Sequence, residues 1–253
     1  MTMRPVASKT EEEITLEWEH IARYRAQQIQ AGKDISFRYV LLPSILELSS
    51  RSNFDSVIDL GCGAGFTTEE LAKRAKRIVA VDLSHENIQI SRERLGHYSN
   101  LTLVNSSVEH YAETQPPGSF TLAAANMMLM TALSLDSVIC STARLLRRGG
   151  HFVFTITHPW FWSHYWQYAD ANWFNYSSEI IIEAPFIISL QKEETYLTTH
   201  IHRPLEQYVD VLHRRGFVIE TIIEPMPSEE HRSLYPLPWR FPRFLGGRCK
   251  LAT

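Results

Sequence analysis

The sequence predicts an α/β protein built on a seven-stranded, mostly parallel β-sheet with helices on both faces. Residues 56–60 form a short apolar run rich in β-branched residues, a glycine-rich turn follows, and a helical pattern begins at Phe66. A second strand at residues 77–82 lies within one crossover length, so these segments form a right-handed βαβ unit. Five further strands are predicted, at residues 100–104, 120–126, 151–157, 217–223 and 244–251.

The glycine turn indicates a ligand site. Gly61, Gly63 and Gly65 permit positive φ and a close approach of backbone to a ligand. Asp59 precedes the turn and Asp82 ends the second strand, at the sheet edge where open α/β folds bind ligands. A carboxylate there can accept hydrogen bonds from both hydroxyls of a ribose. A dinucleotide turn usually has the spacing Gly-x-Gly-x-x-Gly, but here the spacing is Gly-x-Gly-x-Gly and an acid, Asp59, precedes it. An acid at that place would repel a pyrophosphate and suits a ligand with an ammonium group.

The run Asp59-Leu60-Gly61-Cys62-Gly63-Ala64-Gly65, together with Asp82, resembles the first motifs of the class I S-adenosylmethionine-dependent methyltransferases of the small-molecule type. The resemblance covers about Trp18 to Thr157. It implies a Rossmann-like fold whose last two strands are antiparallel, and S-adenosylmethionine as cofactor. The cofactor-binding residues it implies are Arg38, Asp59, Gly61, Cys62, Gly63, Asp82, Leu83, Ser107, Val108, Asn126 and Met127.

Two of these positions carry open alternatives. Ser107 stands where the family usually has an acid that accepts a hydrogen bond from the adenine amino group, and a hydroxyl accepts that bond more weakly. Arg38 is the candidate cation for the methionyl carboxylate, and an ordinary surface arginine is the alternative.

The N-terminal segment is predicted to be helical after a disordered stretch at residues 1–10. One helix is predicted at residues 11–30 and a second at residues 36–49, with Pro43 as an irregularity that splits it. Resemblance implies that residues 11–50 form a helical lid over the cofactor.

Residues 158–203 are predicted to form an inserted cap after the fifth strand. Four of the six tryptophans lie within residues 158–176, too dense for a surface loop and without a steady period. The density indicates an aromatic pocket wall, with Trp160, Trp162 and Tyr165 as substrate-binding candidates, and a self-packed lid is the alternative. Two strands at residues 178–190 and 194–202 are predicted to pair as a hairpin around 191–193.

Transfer of a methyl group from a sulfonium is an in-line displacement in which a histidine can remove the acceptor's proton. His158 is the candidate general base because it directly follows the fifth strand, with His164 and His202 in reserve. The alternative is that His158 fixes the loop by hydrogen bonding. No metal site is predicted, since His200 and His202 share a face without a third ligand at suitable spacing.

Length and composition predict one domain over residues 1–253. The net charge of −3, without a Lys/Arg run longer than two, argues against a nucleic-acid or anionic-membrane surface. Three cysteines without a CxxC or zinc spacing indicate a reduced chain, and no signal peptide or membrane-length apolar stretch is apparent. A cytoplasmic location is therefore predicted.

These observations together predict a methyltransferase that acts on an O or N atom of a small molecule, and carbon methylation stays open. The Asn-Pro-Pro-Tyr motif of many nucleic-acid and glutamine N-methylating relatives is absent at Asn126-Met127-Met128-Leu129. Neither a nucleic acid nor a membrane is predicted as partner, and the oligomeric state is not predicted. A non-catalytic S-adenosylmethionine-binding protein and an NAD-dependent oxidoreductase are the alternatives.

Overall fold

A computed structural model of the chain describes residues 3–190 and 196–252. Within these ranges the strands are β1 (Arg4–Pro5), β2 (Val57–Leu60), β3 (Ile78–Asp82), β4 (Leu101–Asn105), β5 (Phe120–Asn126), β6 (Leu146–Thr157), β7 (Ile180–Pro185), β8 (Leu197–His202), β9 (Phe217–Ile223) and β10 (Phe244–Leu251). The helices are α1 (Glu11–Gln30), α2 (Leu42–Ser49), α3 (Phe66–Ala72), α4 (His85–Leu95), α5 (Val108–Thr114), α6 (Leu135–Leu145), α7 (Phe161–Tyr165), α8 (Leu205–Arg214) and α9 (Glu229–Arg232).

The central sheet has seven strands in the order β4-β3-β2-β5-β6-β10-β9. The first five of these neighbours pair in parallel, and β10 runs antiparallel to both β6 and β9. The strand order reverses between β2 and β5, which creates a crevice at the carboxyl ends of these strands. The predicted fold class, including the antiparallel last pair, is confirmed.

Short polar side chains cap the start of several helices. Ser84, Ser107 and Ser134 each accept a hydrogen bond from a backbone N–H in the first turn of α4, α5 and α6. Thr10 and Glu13 form a capping box at the start of α1. These caps fix the helix starts directly after the strand ends, and so shape the crevice.

The N-terminal segment differs from the prediction in two ways. Arg4–Pro5 is not disordered, because it pairs with β7 as strand β1. The predicted helix at 36–49 begins with a π-helical segment, Phe37–Leu41, that leads directly into α2. Pro43 is the second residue of α2 and lies directly after the π-helical segment, and because proline has no N–H it cannot donate the regular i→i−4 hydrogen bond there.

A small second sheet lies beside the crevice. β7 pairs antiparallel with β8, and β1 adds to the outer side of β7. The predicted hairpin turn at 191–193, and the residues 194–195 of the predicted second strand, lie outside the described residues. Glu17 of α1 accepts hydrogen bonds from the backbone N–H and the hydroxyl of Thr199, which joins α1 to β8. No helix in the described ranges is long and apolar enough to cross a bilayer.

Candidate cofactor and acceptor site

A cavity of about 430 Å³ lies at the carboxyl ends of the central strands. This volume falls within the range of about 300–1,000 Å³ that is usual for small-molecule sites. Its floor is the glycine turn and the ends of β2, β3 and β5, and its walls come from α1, the segment after β6 and the segment after β7. Residues of the predicted lid, 11–50, and of the predicted cap, 158–203, are among those that line it.

The glycine turn shapes the cavity floor. Gly61 has φ 66°, and a Cβ there would collide with the side chain of Met128. Gly63 has φ 54°, and a Cβ there would meet no atom within 4 Å because the position faces open space. The first glycine is needed for packing, whereas the second leaves backbone accessible to a ligand.

Asp82 ties the turn to β3. Its Oδ2 accepts the Gly63 N–H at 2.7 Å, and its Oδ1 accepts the Ser84 N–H at 3.0 Å and the Asn87 amide at 3.4 Å. Burial raises the pKa of Asp82, while these three hydrogen bonds act in the opposite direction. A carboxylate has about four acceptor positions, so Asp82 keeps capacity for a donor in the cavity.

Asp59 is a buried carboxyl without a cationic partner among the described residues. Its Oδ2 accepts the Thr68 hydroxyl at 2.6 Å. Burial raises the pKa of Asp59 to about 7, and the charge of Asp82 adds to the increase. A ligand with an ammonium group would supply the missing cation, which fits the amino group of S-adenosylmethionine.

Arg25 of α1 provides a cation that lines the cavity. Its Nη2 lies 2.5 Å from Asp34 Oδ2, whereas its buried Nη1 has no hydrogen-bond partner among the described residues. An unpaired N–H of a guanidinium fits a carboxylate of the ligand. The sequence reasoning missed this role, although Arg25 shares neighbouring faces of α1 with Ile14 and Ile21, which are buried.

Arg38 does not line the cavity. Its side chain is exposed, and its guanidinium lies 5.4 Å from the ring centroid of Tyr39. The π-helical segment turns Phe37 inward and Arg38 outward, so the contact expected at Arg38 is available at Arg25 instead.

Of the residues at the ends of β4 and β5, some line the cavity and others hold the neighbouring backbone in place. Ser107 caps α5, where its hydroxyl accepts the His110 N–H at 3.1 Å, and its neighbours Ser106 and Val108 line the cavity. Asn126 lines the cavity, with its amide bonded to Thr67 Oγ1 at 2.9 Å and its carbonyl oxygen to Thr155 Oγ1 at 2.5 Å.

Thr155 Oγ1 also accepts a hydrogen bond from the backbone N–H of Met127 at 3.2 Å, and Met127 adopts φ 60°. A positive φ at a non-glycine residue is uncommon and often marks a functional site. Met127 directly follows the end of β5 at the cavity floor, and it lines the cavity.

His158 lies outside the cavity lining, and both of its ring nitrogens are engaged. Nδ1 accepts the N–H groups of Trp160 and Phe161 at 3.2 Å, at the start of α7. Nε2 lies 2.8 Å from Glu224 Oε1. The geometry is that of a residue anchoring a loop, which is the alternative left open for His158 by the sequence.

The aromatic segment lines the cavity with only some of its rings. Trp162 and Tyr165 line it, as does Trp166, which the sequence reasoning did not single out. Trp160 is 48% exposed and its ring contacts His164 and Tyr176 instead.

His200 also lines the cavity, 6.1 Å from Trp162 between ring centroids. Burial lowers the pKa of His200 to about 3, with contributions from His202 and Arg203, so its imidazole is neutral near pH 7. His202 instead bonds the Tyr176 carbonyl at 2.9 Å through Nε2.

The structure thus gathers most of the residues predicted to form the site around one cavity. Those that line it are Asp59, Gly61, Cys62, Gly63, Asp82, Leu83, Val108, Asn126, Met127, Trp162 and Tyr165. Those that do not are Arg38, Ser107, His158 and Trp160.

Comparisons with known proteins agree with this geometry. The model of a methyltransferase domain family matches residues 58–154. The ribosomal RNA small subunit methyltransferase A of Caldanaerobacter subterraneus is 35% identical over 77 residues, which cover 30% of this chain and 29% of that protein. A ubiquinone biosynthesis O-methyltransferase of Vibrio cholerae is 32% identical over 100 residues, 39% of this chain and 40% of that protein. The match thus spans less than half the length of these curated relatives.

Solved structures share the fold over a longer range. An S-adenosylmethionine-dependent methyltransferase from Mesorhizobium loti superposes with a TM-score of 0.61 at 23% identity, covering 82% of this chain and 96% of that chain. The 1,6-didemethyltoxoflavin-N1-methyltransferase of Burkholderia thailandensis, solved with 1,6-didemethyltoxoflavin and S-adenosylhomocysteine, gives a TM-score of 0.60 at 15% identity, covering 99% and 95%. Residues 58–154, which contain the acidic Gly-x-Gly-x-Gly turn, therefore match a methyltransferase domain family, and the chain shares its fold with S-adenosylmethionine-dependent methyltransferases of known structure.

Proposed function

We propose that this chain binds S-adenosylmethionine in the cavity and transfers its methyl group to an O or N atom of a small molecule. The observation that carries the proposal is a single cavity floored by Asp59, the glycine turn and Asp82, and walled by aromatic side chains. Its carboxyls and the glycine turn suit the cofactor, and its aromatic side chains suit a flat acceptor.

In this proposal each polar group of the cofactor has a partner of complementary charge or hydrogen-bonding type. Asp82 is positioned for the ribose hydroxyls, Asp59 for the ammonium group, and the free Nη1 of Arg25 for the methionyl carboxylate. Both carboxyls are buried, so their interactions with a ligand are stronger than they would be in water. In this proposal residues 11–50 act as a lid and residues 158–203 as a cap.

For the reaction, the protein has mainly to align the acceptor atom with the methyl group of the cofactor. The bound cofactor supplies a methyl group already activated on sulfur. The aromatic rings of Trp162, Tyr165 and Trp166 exclude water and hold the acceptor against the floor. His200 is neutral near pH 7 and so can accept a hydrogen bond from the acceptor, but its lowered pKa makes it a weak proton acceptor.

A small molecule suits the cavity better than a nucleic acid does. The toxoflavin methyltransferase and the ubiquinone biosynthesis enzyme act on small molecules by their names, whereas the ribosomal RNA methyltransferase shares only 77 residues with this chain. The enclosure by α1 and the second sheet leaves about 430 Å³, which accommodates small molecules. The formal net charge of −3 also offers little attraction to a polyanion.

The test combines binding with turnover. Arg25→Gln is expected to weaken S-adenosylhomocysteine binding by about 1.5–3 kcal/mol, the usual contribution of a hydrogen bond to a charged group. Arg38→Gln is the matched control, because that guanidinium lies outside the cavity, and its affinity should equal that of the unmodified chain. Calorimetry measures both variants.

Turnover is then measured as transfer of labelled methyl from S-adenosylmethionine to a library of small phenols, amines and acids, with RNA as a comparison. Transfer to a small molecule supports the proposal. Transfer to RNA alone would assign the site to a nucleic acid, and tight cofactor binding without transfer to any acceptor would favour a non-catalytic binding protein.

A further inference from the structure

Arg243 lines the cavity beside Tyr165, one of the aromatic residues that the proposed function assigns to the acceptor. Its side chain lines the cavity and the residue is only 7% exposed. Its carbonyl oxygen accepts the His158 N–H at 2.9 Å, which fixes the start of β10 beside the end of β6. The guanidinium is therefore held at a defined place on the cavity wall.

The contacts of this guanidinium are aromatic rings. Its central carbon lies 4.0 Å from the ring centroid of Tyr165 and 4.3 Å from that of Trp239. Within residues 3–190 and 196–252 it makes no ion pair and no side-chain hydrogen bond. Ring faces attract the cation but leave its N–H groups without acceptors.

Other arginines of this chain with largely buried side chains form ion pairs with carboxylates. Arg25 pairs with Asp34, Arg203 with Glu179, and Arg248 with Glu220. A buried charge is costly unless it is paired. Burial lowers the pKa of Arg243, as expected for a cation removed from water without a carboxylate beside it. An arginine remains protonated nevertheless, so the charge persists.

The neighbouring walls match an acceptor that is flat and carries a hydrogen-bond acceptor group. Trp162, Tyr165 and Trp166 line the same cavity, and the ring of Tyr165 contacts those of Trp162 and Trp166. The buried indole N–H of Trp166 has no hydrogen-bond partner among the described residues. This part of the cavity wall therefore combines apolar ring faces with unused N–H donors.

We propose that Arg243 recognises a carboxylate on the methyl acceptor, so that the substrate is a planar organic acid. This inference rests on the proposed function and names its substrate class. A guanidinium presents parallel N–H groups that match the two oxygens of a carboxylate. The single cation between two rings fits one singly charged planar group. In the proposed function the cofactor carboxylate has a partner of its own in Arg25.

The test uses matched acid and amide probes. The chain is titrated by calorimetry with benzoate and benzamide, and with naphthoate and naphthamide, each with and without S-adenosylhomocysteine. The carboxylates are expected to bind about tenfold or more tightly than their amides, as for a hydrogen-bonded charge pair. In Arg243→Gln the preference is lost, whereas in Arg240→Gln, an exposed arginine of the same loop, it is retained.

Arg243→Lys is a second variant, which keeps the inference testable if Arg243→Gln does not fold. It keeps the charge but not the paired N–H groups, so it should retain a reduced preference for the carboxylates. Both Arg243 variants should bind S-adenosylhomocysteine as the unmodified chain does.

Equal binding of acid and amide, no binding of any carboxylate, or a preference that survives in Arg243→Gln overturns the inference. Loss of S-adenosylhomocysteine binding in that variant also overturns it, because Arg243 would then hold the cofactor. Failure of the unmodified chain to bind S-adenosylhomocysteine is a different result: it contradicts the proposed function, while the carboxylate titrations without that ligand still decide the role of Arg243.

Discussion

The carboxyl of Asp59 makes the proposed cofactor binding depend on pH. Its pKa is raised to about 7 by burial, so the free protein holds a proton there below neutrality. An ammonium group nearby favours the ionised form, and binding then releases that proton. A ligand that lowers the pKa of an acid binds more tightly as pH rises toward the pKa of the free acid.

We therefore expect the affinity for S-adenosylhomocysteine to rise by up to about tenfold between about pH 6 and 7, and to level off above. The range stays below the titration of a ligand α-amino group, at about 7.7–8.0. Calorimetry across this range gives the slope. Asp59→Asn cannot titrate and should abolish it; an equal slope in that variant would assign the dependence to another group, such as Asp82, whose pKa is also raised.

Single-residue roles were predictable where a motif fixes them. The glycine turn and the two acids, Asp59 and Asp82, stand in a local sequence whose spacing determines their position at the strand ends. The choice between Arg25 and Arg38 was not predictable, because it depends on which way a π-helical segment turns. No periodicity in residues 36–49 signals that segment.

Among the elements, the second sheet is held to the cavity floor by Arg203. Its side chain is completely buried, and Nε lies 2.6 Å from Glu179 Oε2. Its remaining donors reach the carbonyl oxygens of Leu129, Ala132 and Leu133, in the segment after β5. One side chain thus joins the residues flanking the β7–β8 pair to the floor.

Arg203→Met should destabilise the chain by about 3 kcal/mol or more, because it leaves buried carbonyl groups without donors and removes the partner of Glu179. Urea unfolding measures the loss. Arg214→Met is the matched control: Arg214 is exposed and pairs with Asp210, so its loss should cost less than about 1 kcal/mol. Equal losses in the two variants would contradict the role given to Arg203.

α7 depends on His158, whose Nδ1 accepts two N–H groups at the start of that helix. We expect His158→Ala to lower the thermal midpoint and to slow turnover, with near-normal cofactor affinity, because the aromatic wall loses its anchor. His158→Asn can still accept such a bond and should restore part of both.

A general base would behave differently. If His158 removed the acceptor's proton, both variants would lose turnover alike and the pH dependence of the rate would change shape. Rates measured across pH in the two variants therefore distinguish an anchor from a base.

Elements with local signals were predicted well, and their terminal residues less so. Ser84 and Ser134 are residues of a type that caps helices, and each directly precedes a helix in the structure, α4 and α6 respectively. β6 begins at Leu146 rather than His151, because Leu146 pairs with Phe120 across a register shift. Strand β1 was missed because two residues at an edge are stabilised only by their pairing with β7.

For the whole molecule, the sheet follows from the sequence and the enclosure of the cavity does not. Alternating strands and helices, with right-handed crossovers, determine the order of the parallel strands. Closure depends on contacts between distant segments, such as Glu17 with Thr199 and Lys9 with Glu183, which lie far apart in the chain. Such contacts leave no periodic pattern in the sequence.

Titration of the purified chain with S-adenosylmethionine, S-adenosylhomocysteine and NAD tests the central claim most directly, with Asp82→Ala as the matched variant. The account predicts that the first two bind, that NAD does not, and that the variant loses about 1–3 kcal/mol of binding free energy. Binding of NAD alone, no binding of either sulfur ligand, or full affinity in a folded Asp82→Ala variant would contradict it.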